Sequence, residues 1–158
     1  MSLRIIISGG GTGGHVFPAL AIANAIKKMR PGTEILFIGA QGKLEMEKVP
    51  AAGYPVVGLP VIGMPRKFSF RFISFLIRWI RSLLKARKIL KKFRPHAVIG
   101  VGGYASAPVL QMAVRMRIIT LIQEQNSYAG LVNRSLAAKV NRICVAYSGM
   151  EKYFPAAK

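Results

Sequence analysis

Five glycines fall within six residues, Gly9-Gly10-Gly11-Thr12-Gly13-Gly14, between the apolar run 4–8 and His15. Backbone without Cβ atoms can approach a phosphate closely, and a helix starting there would turn its free N–H groups and partial positive charge toward the anion. Gly9, Gly11 and Gly14 have the GxGxxG spacing, yet neither common nucleotide fold is completed. A dinucleotide site calls for an acid near the end of the second strand, where this chain has Ile38-Gly39-Ala40-Gln41, and a P-loop calls for Gly-Lys-Ser/Thr, which is absent. The plainer alternative is a tight turn without a ligand, although one turn does not need so many glycines. His15 closes the loop at a helix start, where the dipole disfavours imidazolium and leaves a neutral ring able to accept a proton near pH 7. A capping or core histidine is the competing reading, and spacing does not choose between them.

Two more groups belong to the same chemistry. Gly100, Gly102 and Gly103, followed by Tyr104 and the small residues Ala105, Ser106 and Ala107, form a second anion-binding turn. Two such turns on one sheet edge can hold a diphosphate. Gln123-Glu124-Gln125-Asn126 follows an apolar run and reaches the same edge if that run is a strand; an ordinary polar surface loop is the alternative.

The elements that must carry these residues alternate. Strands are expected at 4–8, 34–38, 54–59, 97–101, 118–122 and 142–145. Helices are expected from Pro18 to about 29, at 44–49, 70–93, 107–116 and 129–139. Strands apolar on both faces and separated by helices require a parallel sheet covered on both sides: an α/β, doubly wound, Rossmann-like domain over residues 1–147. Residues 148–158 are expected to begin a helix or linker, so the chain reads as one lobe of a larger protein.

Composition narrows the chemistry further. With 158 residues, 52% of them apolar, the chain can bury one domain's core. Its 24 Lys and Arg face only five acids, Glu34, Glu45, Glu47, Glu124 and Glu151, for a formal charge of +19, which calls for an anionic partner. There is no Asp, so no Asp-x-Asp pair can hold a divalent cation on a nucleotide, and no metal or other cofactor is expected. Cys144 stands alone, which excludes an internal disulfide and a cysteine zinc site. The apolar run before Gly9 is too short for a signal peptide, and secretion is disfavoured. The longest charge-free stretches are interrupted by glycine and proline, so contact with a membrane is expected rather than a span.

Residues 66–94 carry 11 Lys or Arg and no acid. At ~100° per residue, Arg71, Arg78, Arg81 and Lys85 share one face, with Phe72, Phe75 and Trp79 roughly opposite. Aromatic residues crowded beside basic ones suit the headgroup region of an anionic bilayer. Core packing with a solvated basic exterior is the bland reading. A nucleic-acid-binding module would share the charge, but no RNP-like strand or helix-turn-helix is present, and no nucleic-acid partner is expected.

Taken together and in order, 9–18, Gly100-Val101-Gly102-Gly103-Tyr104 and Gln123-Glu124-Gln125-Asn126 resemble the MurG family of glycosyltransferases, over essentially the whole chain. The resemblance implies the N-terminal lobe of a GT-B fold, metal-independent and inverting, that accepts GlcNAc from UDP-GlcNAc on the muramyl 4-hydroxyl of lipid I in peptidoglycan synthesis. Carried over by motif, Gly10, Gly11, Gly102, Gly103 and Tyr104 would hold the lipid I diphosphate, and His15 would be the catalytic base. Glu124 would assist as an orienting group. Thr12, Gly13, Gly14 and Asn126 would reach UDP-GlcNAc bound mainly by a C-terminal lobe that this chain lacks, so turnover by the chain alone is not expected. The basic helix would dock the protein peripherally on the cytoplasmic face of the plasma membrane. Gln123 departs from a position where the family often has histidine. A membrane-anchoring subunit of a split transferase is the alternative form of the same reading.

Overall fold

The computed structural model describes residues 2–65 and 70–155, with the side chains of Phe70 and Arg71 excepted. Six strands, β1 (Arg4–Ser8), β2 (Glu34–Ala40), β3 (Val56–Leu59), β4 (Ala97–Gly100), β5 (Ile119–Glu124) and β6 (Arg142–Val145), form one sheet. Every pair is parallel, in the order β3-β2-β1-β4-β5-β6. Helices α1 (Gly13–Met29), α2 (Glu45–Ala51), α3 (Phe70–Phe93), α4 (Ser106–Arg115) and α5 (Leu131–Leu136) connect them. The expected doubly wound α/β fold is therefore observed, with the strand order reversing between β1 and β4.

The period of two along each strand builds two cores. Ile5 and Ile7 point to one face with Ile35, Phe37 and Ile99, where they meet Val16, Ala19 and Ala23 of α1 and Val49 of α2. Ile6 points to the other with Ile38, Val98 and Ile122, under Ala86 and Leu90 of α3 and Val109, Leu110 and Ala113 of α4. Strands loaded on both faces in this way cannot leave the interior, which explains the unbroken apolar runs.

Several boundaries differ from the sequence-based expectation by a few residues. Helix α1 begins at Gly13 and carries Pro18 inside it, so the glycine run itself supplies the first turn. Pro50 likewise lies within α2. Strand β5 runs on through Gln123 and Glu124, because Gln123 and Glu124 still pair with Cys144 and Val145 of β6. Residues after 147 do not leave the domain at once: Met150 is buried, and the Tyr153 ring, in a short 3₁₀ turn (Glu151–Tyr153), meets Tyr128 edge-on at 5.2 Å.

Candidate functional site

The sheet order places the carboxyl ends of β1 and β4 side by side at the point where the connections diverge, the usual position of a ligand crevice in an open α/β sheet. Here the two glycine turns touch. A Cβ on Gly103, whose φ is +79°, would collide with the backbone carbonyl of Gly10. Around this contact lies a crevice of about 520 Å³. Its lining includes Gly10, Gly11, Thr12 and His15 from the first motif, Gly102, Gly103 and Tyr104 from the second, and Glu124 and Asn126 from the third. Gly13 and Gly14 lie outside that lining, in the first turn of α1.

His15 is half-buried, and its Nδ1 lies 3.1 Å from Thr12 Oγ1. In the tautomer with hydrogen on Nδ1, that atom donates to the threonine oxygen and leaves Nε2 as the basic atom. The ring rests against Gly102, where a Cβ would come within 2.9 Å of Nε2. Burial lowers the imidazole pKa below its ordinary value, outweighing the opposing pull of the Glu124 and Glu45 carboxylates. The ring is therefore neutral near pH 7.

Glu124 is 2% exposed, and both its oxygens are engaged. Oε1 accepts from the backbone N–H and the Nδ2 of Asn126, both at 3.1 Å; Oε2 accepts from Gly130 N–H at 3.0 Å and Asn133 Nδ2 at 2.9 Å. These four bonds hold Asn126, Gly130 and Asn133 together at the crevice, the geometry of the orienting group expected at this position.

Sequence reasoning missed Glu45. This 2%-exposed side chain turns back from α2 under the first glycine turn, where Oε2 accepts from Gly11 N–H at 2.9 Å and Oε1 from Ala40 N–H at 2.7 Å. A Cβ on Gly10 would overlap the carboxylate, and one on Gly39 the Glu45 Cγ. This acid comes from the helix after β2, and its oxygens are bonded to backbone amides of the glycine turn and of the end of β2. One consequence is that the Gly11 amide, expected to meet a diphosphate, is already committed to an internal anion. Asn133 and Lys43 also line the crevice and were not anticipated; Asn133 is 1% exposed and its Oδ1 has no partner among the described residues. No local pattern marks either one, since each is brought in by a connection after the strand that carries the motif.

The residues expected to face a membrane divide differently from the helical-wheel expectation. Phe72, Phe75 and Trp79 are half-buried along one flank of α3, Phe72 tilted against Phe75 with ring centroids 6.1 Å apart and Phe75 stacked on Trp79 at 6.2 Å. The exposed apolar stripe is aliphatic instead: Ile73, Leu76, Ile77, Ile80 and Leu84. Arg78 and Arg81 are exposed beside it, whereas Lys85 is half-buried and donates to the Gly58 carbonyl at 2.7 Å. The side chain of Arg71 lies outside the described residues, as do 66–69. No described helix is long and apolar enough to cross a membrane.

Residues 5–145 match the glycosyltransferase family 28 N-terminal domain. The chain belongs to that family. It is 60% identical, over 99% of its length, to the UDP-N-acetylglucosamine--N-acetylmuramyl-(pentapeptide) pyrophosphoryl-undecaprenol N-acetylglucosamine transferase of Bacteroides fragilis, and spans 41% of that relative. The crystal structure of Acinetobacter baumannii MurG superposes with a TM-score of 0.82 at 27% identity, covering 99% of this chain and 44% of that one. The glycosyltransferase SnogD of Streptomyces nogalater shares the fold alone, with a TM-score of 0.63 at 15% identity over 98% of this chain and 47% of that one. The motif resemblance to the MurG family is borne out, and the family match covers the sheet from β1 to β6.

Proposed function

We propose that this chain is the acceptor-binding lobe of an inverting, metal-independent transferase that moves GlcNAc from UDP-GlcNAc to the muramyl 4-hydroxyl of lipid I. The observation that carries the reading is a neutral, half-buried His15, oriented by Thr12 and walled by Gly102, in the crevice where both glycine turns meet. Nε2 takes the proton of the attacking hydroxyl as its oxygen bonds to the anomeric carbon and UDP departs. The identity to the Bacteroides fragilis transferase supports the choice of donor and acceptor. Gly10, Gly102, Gly103 and Tyr104 face the lipid diphosphate, and Gly11 joins them by exchanging its bond to Glu45. Thr12, Gly13, Gly14 and Asn126 face the donor, which a second lobe beyond residues 1–147 holds.

Docking is assigned to α3. Its exposed aliphatic stripe enters the headgroup region of the cytoplasmic leaflet, and the flanking Arg78 and Arg81 meet anionic lipid. The protein is accordingly peripheral.

The test joins this chain to the C-terminal portion of the Bacteroides fragilis relative and measures transfer to lipid I in vesicles. His15→Ala is expected to lower turnover by roughly 10²- to 10⁴-fold, the usual worth of a general base, with vesicle binding unchanged. Near-normal turnover removes His15 as the base.

A further inference from the structure

Gln125, in the third motif, has no part in the proposed chemistry. Gln125 Nε2 donates to the backbone carbonyl of Gly14 at 2.9 Å, across 111 positions of sequence. That carbonyl is special for a reason visible in the first motif. In a regular helix it would accept from the N–H of residue 18, four positions on, but residue 18 is proline and has no N–H to give. The proline ring also crowds the carbonyl four residues back and turns it outward. The side chain of Gln125 thus supplies the hydrogen bond that Pro18 removes. Its orientation is not free, because turning the amide over would set two oxygens face to face. The Gln125 Oε1 is buried without a partner among the described residues, so the donor end carries the contact.

The geometry points to Gln125 as a positioning residue that locks the end of β5 to the first turn of α1, holding Asn126 and the Glu124 network at a set distance from His15. This assignment rests on the proposed function for its catalytic meaning, though not for its structural part. Thr12 and His15 belong to the turn that Gly14 continues, and Glu124 and Asn126 directly flank Gln125 in sequence. One bond therefore joins the part of the site assigned to the base with the part assigned to the donor. No other hydrogen bond between side chain and backbone ties α1 to β5 among the described residues.

A variant cycle separates positioning from mere helix repair. Gln125→Ala and the isosteric Gln125→Glu both remove the donor. Adding Pro18→Ala returns an N–H that can satisfy Gly14, but from within α1, so it repairs the helix without rebuilding the tether. Thermal unfolding and the NMR titration of His15 are measured on the 1–158 chain, and kcat and KM on the fusion described above. The single Gln125 variants are expected to lower the unfolding midpoint, to raise the His15 pKa toward the ordinary imidazole value as water reaches the ring, and to cut kcat by about 10- to 100-fold, the scale of a small misplacement of reacting groups. The Pro18→Ala/Gln125→Ala protein is expected to regain the midpoint while kcat and the His15 titration stay displaced. Recovery of all three in the double variant would overturn the proposal and leave Gln125 as a helix patch. So would a kcat within twofold of the parent in both single variants. If the parent fusion does not transfer GlcNAc, the functional reading fails separately, and the midpoint and titration still decide the tether.

Discussion

His15 sits between two opposed influences, and their balance has a measurable consequence. Burial disfavours its cation, while Glu124 and Glu45 favour it, and burial prevails. The folded protein therefore binds fewer protons at His15 than the unfolded chain does when pH lies between the lowered value and the ordinary one of about 6.5. Above the ordinary value the full stabilising contribution is present; it is lost as pH falls through that window toward the folded value. For turnover in the fused enzyme, the acid limb of the pH–rate profile is expected below the ordinary imidazole range, and an NMR titration of His15 should give the same midpoint. Glu45 offers a second check on the same balance. Glu45→Gln leaves one acceptor oxygen for two backbone donors, Gly11 and Ala40, and sets an amide N–H against one of them. The expected cost is about 1–3 kcal/mol in denaturant unfolding. Loss of that carboxylate should also lower the His15 pKa further. A midpoint equal to the parent's would show that the carboxylate does not organise the turn.

Helix α3 shows how an element's exposed face differs from its greasiest one. Viewed alone, the aromatic residues form the strongest apolar side, and they were the expected membrane contact. In the folded domain the line Ser82, Ala86 and Leu90 is buried, and Phe72, Phe75 and Trp79 follow the same side of the helix toward its start. The aliphatic stripe lies roughly a third of a turn away, left open with exposed Arg78, Arg81 and Lys88 on one flank and exposed Arg87 in line with it further along the helix. Arg78, Arg81 and Lys88 replaced together by Glu should weaken binding to anionic vesicles by roughly 100-fold or more, given about 1 kcal/mol for each basic residue near the surface. Ile77→Gln with Ile80→Gln should weaken binding to neutral and anionic vesicles alike. Phe75→Leu should leave partitioning unchanged, and the opposite ranking would return the docking role to the aromatic flank. Lys85 is omitted because its ammonium is already held by Gly58.

Across the whole molecule, charge and site are arranged together. Of five acids, Glu45 and Glu124 are buried behind the crevice, so the remaining three are set against 24 basic residues at the surface or beyond the described segments. The basic charge thus lies mostly on the exterior, with Lys43 at the crevice, while Glu124 lines the crevice and Glu45 lies under the first glycine turn. From the sequence alone, the alternation of apolar runs and helices determined a parallel α/β sheet, because strands buried on both faces must be covered by helices on both sides. The glycine spacing and His15 likewise pointed to the sheet edge that carries the crevice, since backbone lacking Cβ atoms has a use that can be read without coordinates. What only the tertiary structure decided are relations between residues far apart in the chain. Glu45 beneath Gly10, Glu124 saturated by Asn126, Gly130 and Asn133, Gln125 on the carbonyl freed by Pro18, and the open face of α3 all depend on which surfaces meet when the sheet is assembled. Local pattern encodes what a segment can bury; the partner of a buried polar group is chosen by packing, where an unpaired donor or acceptor costs more than any local preference returns.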